Sequence, residues 1–181
     1  MFITTSKGRI IYELSGDIAG ASLRGLELRG ASLSGTKLVG TDFSGAVLTG
    51  ANFTEADLSG ACFEDAIMEG VHLACADLEG ASLKNADLYW ASTYLAFCRH
   101  TDFTNARLMG ADLKECDFTH AILCGANLGR DNLGGSTSVQ GANFTGTDLD
   151  GVIWDGAEYD DTTVFPAGFN PLKQGLLHKT A

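Results

Sequence analysis

Between Ala21 and Gly135 the chain repeats every five residues, twenty-three times without an insertion. Each unit reads small residue, polar residue, Leu or Phe, then two more. Ala51-Asn52-Phe53-Thr54-Glu55 and Ala56-Asp57-Leu58-Ser59-Gly60 are representative. The third place is Leu, Phe or Met in twenty-one units, the first is Ala in sixteen and the last is Gly in twelve. A fixed internal period of this kind decides the architecture before any other signal.

Five residues do not fit a helix. At about 100° per residue the Leu column would drift by roughly 140° per unit and never gather on one face. The Gly column would also cost about 1 kcal/mol per position in a helix. An extended chain alternates sides, so the first and third residues of a unit point one way and the second points the other. The remaining two residues must turn the chain, and Gly there permits positive φ. Each unit is therefore a very short strand plus a corner. Corners of one hand wind the chain into an all-β coil, lined by Ala and Leu or Phe and coated by Asp, Asn, Ser and Thr.

The runs Ala-Asp-Leu-x-x and Ala-Asn-Phe-x-x resemble the signature of the pentapeptide-repeat proteins, and the stretch Phe165-Pro166-Ala167-Gly168-Phe169-Asn170-Pro171 is similar to the ending of the cyanobacterial members. The resemblance covers Ala21 to Gly135 and resumes from Ala142 to about Pro166. It implies a right-handed quadrilateral parallel β-helix with four units per coil. Residues twenty apart would then stack about 4.8 Å from each other, and about seven coils would make a rod of about 34 Å.

The expected organisation has three parts. Residues 1–20 read as a hairpin-like cap: Phe2–Thr5, a turn at Ser6-Lys7-Gly8, then Arg9–Leu14. An uncapped coil end would expose unpaired backbone and an apolar cross-section. Residues 21–166 are the solenoid. Residues 167–181 form a second cap, with Asn170-Pro171 opening a short helix whose buried face is Leu172, Leu176 and Leu177. Trp154 and Tyr159 are large inward residues leading to that end. Lys7, Arg9, Glu13 and Asp17 interrupt the first apolar stretch, which therefore does not read as a signal peptide. No apolar run reaches 18 residues, so no membrane span is expected.

Two stretches break the pattern. From Tyr89 to His100 polarity turns inside out. Thr93 and Cys98 sit where Leu is expected, while Tyr89, Trp90, Tyr94, Leu95 and Phe97 fall at outward or corner places. This is either an exposed patch for a partner, since aromatics are enriched at interface hot spots, or a bulge that swings Tyr94 or Leu95 inward. The second break is 129–141, rich in Gly and Ser. Here Asp131 would occupy an inward place, costly unless paired. The central residue moves from Leu133 to Phe144, eleven instead of ten, which implies one inserted residue. The stretch lacks a phosphate-binding Gly-x-x-x-x-Gly-Lys-Ser/Thr motif and reads as a loop at which a partner docks, with Arg130 and Asp131 as its charged candidates.

Given four units per coil, Lys37, Asp57, Asp77, Phe97 and Asp117 form one outward column. Asp57, Asp77 and Asp117 are its candidate acidic ladder. Phe43, Phe63 and Phe103 share an inward column with Leu83. Glu64 is expected beside Lys84 and Glu79 beside Arg99, as exposed pairs worth on the order of 0–1 kcal/mol. His100 and His120 should stack at a corner without a third metal ligand. The five cysteines have no Cys-x-x-Cys spacing and no partner at disulfide distance, with Cys98 and Cys116 inward. They suggest reduced thiols and a cytoplasmic setting.

A coil filled by Leu and Ala leaves no cavity for catalysis, and no nucleophile–base constellation is present, so neither enzymatic activity nor a cofactor is expected. The leading expectation is a protein-interaction or scaffold module with an unidentified protein partner. It would bind neither nucleic acid nor membrane. A regulatory role in cyanobacterial differentiation or stress is a special case. The alternative follows from the resemblance: some family members protect type II topoisomerases such as gyrase by imitating DNA, and this chain has a net charge of −11. A duplex carries about 20 charges over a 34 Å rod, so the chain has roughly half that density. A capped C-terminal end favours a monomer, and an exposed aromatic patch argues the other way.

Overall fold

In the computed structural model, which describes residues 2–13 and 18–180, the repeat closes on itself every twenty residues. Backbone bridges join Ser22 to Asp42, Asp42 to Cys62 and Cys62 to Ser82, all parallel, and the same step of twenty runs along each of four faces. The second-place residue is the bridge. Asp42 N donates to Ala21 O at 2.9 Å and Asp42 O accepts from Leu23 N at 2.7 Å. The column Lys37–Asp57–Asp77–Phe97–Asp117 is one such ladder, as its spacing predicts.

Each corner is a four-residue turn. Ala51 N donates to Leu48 O at 2.9 Å across Thr49 and Gly50, and Gly50 sits at φ 64°. A turn with positive φ at its third residue is what the terminal Gly of the unit supplies. From Leu23 to Leu128 the third-place side chains are all buried inside the coil. Phe43 and Phe63 stack at 4.9 Å and Phe118 and Phe144 at 5.1 Å, with Phe53 set edge-on against the first pair. Where a buried Thr or Cys replaces the first-place Ala within the regular repeat, its polar atom donates to the carbonyl twenty-three residues earlier. Thr41 reaches Ile18 O at 2.8 Å, Thr101 reaches Leu78 O at 2.7 Å, and the Cys116 thiol reaches Thr93 O at 2.7 Å. No buried side-chain polar atom among the described residues lacks a partner.

The N-terminal strands β1 (Phe2–Thr5) and β2 (Ile10–Glu13) form an antiparallel hairpin with Gly8 at φ 76° in its turn. The expected last residue of the hairpin, Leu14, lies outside the described residues. β1 then pairs antiparallel with β3 (Ala31–Ser32), so the hairpin lies against one face of the coil.

Three expectations need correction. The C-terminal segment is not a helix. Asn170 does accept the Lys173 N–H at 3.0 Å, but the turn stops at Gly175, whose φ is 87°. Leu177 N then bonds Ala157 O at 2.8 Å, so β5 (Leu177–His178) pairs parallel with β4 (Glu158–Tyr159). Strand pairing outcompetes a helix only one turn long. Of the three leucines only Leu176 is buried; Leu172 is 66% and Leu177 39% exposed. The end is filled instead by aromatics: Trp154 packs edge-on against Phe144 and Phe169, and Phe165 stacks between Phe144 and Phe169.

The second correction concerns 129–141. Leu133 is 79% exposed and not in the core. Bridges across this stretch step by twenty-six (Asp112 to Ser138, Asn127 to Ile153), so six residues leave the coil, a whole unit plus one. Val139, fully buried, resumes the column after Leu128. The third concerns the ion pairs. Lys84 reaches Asp102 at 3.2 Å and Arg99 reaches Asp117 at 2.5 Å, as Arg24 reaches Asp42 at 3.1 Å. A fourth-place cation leans diagonally onto the second-place carboxylate eighteen residues on, not onto its neighbour twenty away. Glu64 instead accepts from the Ser82 hydroxyl at 2.9 Å.

Leu78 is fully buried between coils. Its replacement by Ala is expected to cost about 2–5 kcal/mol, measured by denaturant titration of the β-dominated circular dichroism signal. Ile67→Ala, an exposed site on the same rod, is expected to change stability by less than about 0.5 kcal/mol.

Candidate partner-binding surface around Trp90

The Tyr89–His100 irregularity is an exposed patch and not a bulge. The bridges Asp87–Arg107, Ser92–Asp112 and Phe97–Asp117 keep the step of twenty straight through it. Thr93 and Cys98 stay inward and buried, and Thr93 Oγ1 lies 3.1 Å from Cys116 Sγ. Burial pushes the Cys116 thiol up to about 12 and the Cys98 thiol well above its ordinary value, so both remain neutral core residues. Outside, Trp90, Tyr94, Leu95 and Phe97 are each between 41% and 50% exposed. They run consecutively around one coil, from one corner across a face to the next corner and onto the following face.

Two of these side chains are held at a backbone cost. Trp90 and Leu95 occupy the last place of the unit, with φ 56° and 58°. Left-handed backbone costs an L-residue about 1–2 kcal/mol relative to Gly. Eight other non-Gly corners among the described residues share this backbone, Glu55, Asn85 and His120 among them, so what sets Trp90 and Leu95 apart is a large apolar side chain left partly exposed.

The two irregular stretches meet. Trp90 leans over the next corner, Gly110, and its indole N–H donates to Asp131 Oδ2. A Cβ on Gly110 would lie 2.5 Å from Trp90 Cδ1, so a side chain at that corner would displace the indole. Asp131 is therefore not an inward carboxylate. Its second oxygen accepts the Leu133 and Gly135 N–H groups at 2.8 and 2.6 Å and folds the extruded loop around itself. The Trp90 hydrogen bond, with the loop amides behind it, holds the Asp131 carboxyl below the usual carboxylate range against the opposing effect of burial. On the other side Tyr89 stacks on Trp90 at 4.9 Å, and Arg107 lies 4.5 Å over Tyr89 while bonding Asp87 at 2.6 Å. Arg130 does not join this cluster. Its guanidinium projects away from Trp90 over Gly156, the corresponding corner of the following coil, and its backbone N–H bonds Asp155 O at 3.0 Å. Beside Trp90, the side-chain-free corners Gly50 and Gly70 leave an open groove of about 370 Å³ lined also by Thr49, Glu69 and Tyr89.

A rule missed in the sequence explains these contacts. A corner side chain projects over the corresponding corner of the following coil. Asn105 covers Gly125, Glu115 covers Gly141 and His120 covers Gly146 in the same way. His100 and His120 stack at 5.3 Å as their spacing predicts. No group of three metal-ligating residues exists among the described residues.

The acidic ladder has a local explanation. Asp57 accepts Ser59 N at 3.2 Å, Asp77 accepts Glu79 N at 2.9 Å, and Asp117 accepts Thr119 N at 3.0 Å. Each carboxylate caps its own corner, and Asn52 does the same for Thr54 at 2.9 Å. Partial burial works to raise the Asp117 carboxyl, but the Thr119 hydroxyl, Arg99 and the Thr119 N–H together hold it below its ordinary value. Phe97 stands between Asp77 and Asp117 and interrupts the ladder.

Replacing Gly110 by Ala is expected to make Trp90 markedly more accessible to acrylamide quenching. Gly50→Ala carries the same left-handed strain with open space around it, and should lose a similar 1–2 kcal/mol while leaving the quenching unchanged. The pH dependence has a definite sign. A carboxyl lowered in the folded state stabilises the pinned loop above its ordinary value of about 3.9 and loses that contribution as pH falls through the lowered value. Trp90 emission should thus be flat at neutral pH and change only in acid. Asp131→Asn should show the acid signature already at pH 7, because one amide oxygen cannot serve both the loop and the indole.

The comparisons agree with this architecture. The chain matches the family described as Pentapeptide repeats over residues 17–50, 38–70, 65–92 and 97–130. No curated protein sequence matches it. Among solved structures it is similar to HetL, a pentapeptide repeat protein involved in heterocyst differentiation regulation from the cyanobacterium Nostoc sp. strain PCC 7120. The TM-score is 0.69 at 21% identity, over 90% of this chain and 87% of that one. It also resembles Rfr23 from the cyanobacterium Cyanothece 51142 (TM-score 0.45, 24% identity, 80% and 90% covered) and QnrB1, a plasmid-mediated fluoroquinolone resistance protein (TM-score 0.41, 16% identity, 92% and 88% covered). The chain belongs to the pentapeptide-repeat family and is a right-handed quadrilateral β-helix.

Proposed function

We propose that this chain is a non-enzymatic protein-interaction module whose contact surface is centred on Trp90, with Tyr94, Leu95 and Phe97 beside it and the 130–136 loop clamped against it through Asp131. One observation carries the reading. Of the ten non-Gly corners with left-handed backbone among the described residues, Trp90 and Leu95 alone carry a large apolar side chain, and each is more than two-fifths exposed. A large apolar side chain displayed where the other corners carry Gly, a polar residue or Cys points to a role outside folding. Aromatic anchors on a rigid scaffold fit the pattern of interface hot spots. The five unpaired cysteines support a reducing, cytoplasmic setting for this role. A regulatory part in cyanobacterial differentiation is compatible with the fold shared with HetL, a likeness that speaks to fold alone.

Imitation of DNA has less support. The ladder carboxylates are occupied as corner caps and by Arg99, and the ladder is broken by Phe97.

The test uses substitutions that return the patch to the repeat's own pattern. Trp90→Gly removes the backbone strain, and Phe97→Asn supplies a corner cap like Asn52. The double variant is expected to melt no lower than the parent and to lose a protein partner captured from a cyanobacterial lysate, at a salt concentration that leaves the parent complex intact. Retention of that partner by the double variant would refute the reading. Capture of gyrase at low salt by parent and variant alike would replace it with the acidic-rod alternative.

A further inference from the structure

The two ends of the rod are built alike in one respect. The face bearing β3 continues through Asn52, His72, Ser92, Asp112 and Ser138 to β4 and then β5, each step parallel. At the other end the hairpin adds β1 and then β2 to the same face. One sheet therefore runs the length of the molecule, with β2 and β5 as its outermost strands. The hairpin reverses direction twice. β1 is antiparallel to β3, and β2 is antiparallel to β1, so β2 runs with the sheet. A second copy translated along the rod axis would bring its β2 parallel to β5 of the first, and the ladder would continue with its own polarity.

The edge of β5 is suited to this. Leu177 and Lys179 donate inward, to Ala157 O and Tyr159 O, both at 2.8 Å. Alternation along a strand then directs the His178 N–H outward. Apolar side chains flank both edges: Phe2 and Ile10 are 53% and 57% exposed at one end, Leu172 and Leu177 66% and 39% at the other. The charges are opposite. Residues 1–40 carry five bases and three acids, whereas 148–181 carry six acids against Lys173 and Lys179, the latter paired with Glu158 at 3.2 Å. Lys7 and Arg9 line an open pocket of about 470 Å³ at the β1–β2 turn and have no acidic partner among the described residues. Asp148, Asp150 and Asp155 likewise have no basic partner there, and Asp161 meets only His178, at 2.8 Å.

We propose that copies of this chain associate head to tail, β5 of one pairing in parallel with β2 of the next, steered by the basic N-terminal and acidic C-terminal ends. The contact is heterologous, so it does not close at two copies and grows into short filaments with concentration. It is independent of the Trp90 surface, which lies on the side of the rod.

Sedimentation velocity on the full chain tests it. At low salt the weight-average mass is expected to rise with concentration past the dimer without a plateau. Raising the salt from about 10 mM to about 1 M shortens the screening length from about 30 Å to about 3 Å and should weaken association at least tenfold. His178→Pro removes the outward donor without touching the inward ones, and Lys7→Glu with Arg9→Glu reverses one charged end. Both variants should sediment as monomers with unchanged circular dichroism and melting, while Trp90→Gly/Phe97→Asn associates like the parent. A monomer at every concentration, a plateau at the dimer, or folded edge variants that associate like the parent would each overturn the proposal.

Discussion

Everything in this rod depends on a backbone bond between residues about twenty apart. Each unit presents one bridging residue, which donates to the coil before it and accepts from it, as Asp42 does with Ala21 and Leu23. A single bridge is far shorter than an ordinary strand and would not survive alone. It holds because the Leu or Phe column beside it is buried by the same step, and because every corner returns the chain at the same angle. The corner is thus the decisive element. Where it tolerates a side chain at positive φ, that side chain projects along the rod, over a Gly as Trp90 does or against the next corner side chain as His100 does with His120.

That rule gives the molecule its surface relief. Where Gly follows Gly along a corner, as from Gly30 through Gly50 to Gly70, the rod is smooth. Where a corner carries Asn, Glu, His or Trp, the side chain lies along the rod and covers its neighbour. Trp90 is the largest of these. It reaches over Gly110 to the carboxylate that organises the extruded loop, so one strained corner both displays an indole and anchors the longest departure from the coil. Two irregularities forty-one residues apart are therefore one feature, and its stability cost falls on the corner and not on the core.

The period alone carried most of the architecture: the inward columns, the stacked phenylalanines, the Lys37–Asp117 ladder, the buried Cys98 and Cys116 and the stacked His100 and His120 follow from counting in fives and twenties. What counting could not supply were directions that break the translational step. Lys84 and Arg99 choose diagonal carboxylates because a fourth-place side chain leans across the corner. Leu133 kept the third-place identity of a core residue although six residues around it leave the coil; only the Asp131 hydrogen bonds show why. Asn170-Pro171 carries a genuine helix-start signal, and the structure honours it for one turn. The free edge of β4 then takes Leu177, a tertiary preference that no local window contains.

The replacement of that helix by β5 changes what the C-terminal end can do. A helix laid across the coil would have satisfied the last edge with side chains and closed the rod. A strand satisfies β4 by creating a new edge one step further out, which moves the unpaired row without removing it. Natural sheets commonly protect such edges with charge. Here the protecting charges are basic at one end and acidic at the other, so what would repel an identical end attracts the opposite one. In a solenoid whose contacts are confined to nearest neighbours, the next coil can equally be supplied by the same chain or by another copy, and the polarity of β2 leaves the sheet ready to accept it.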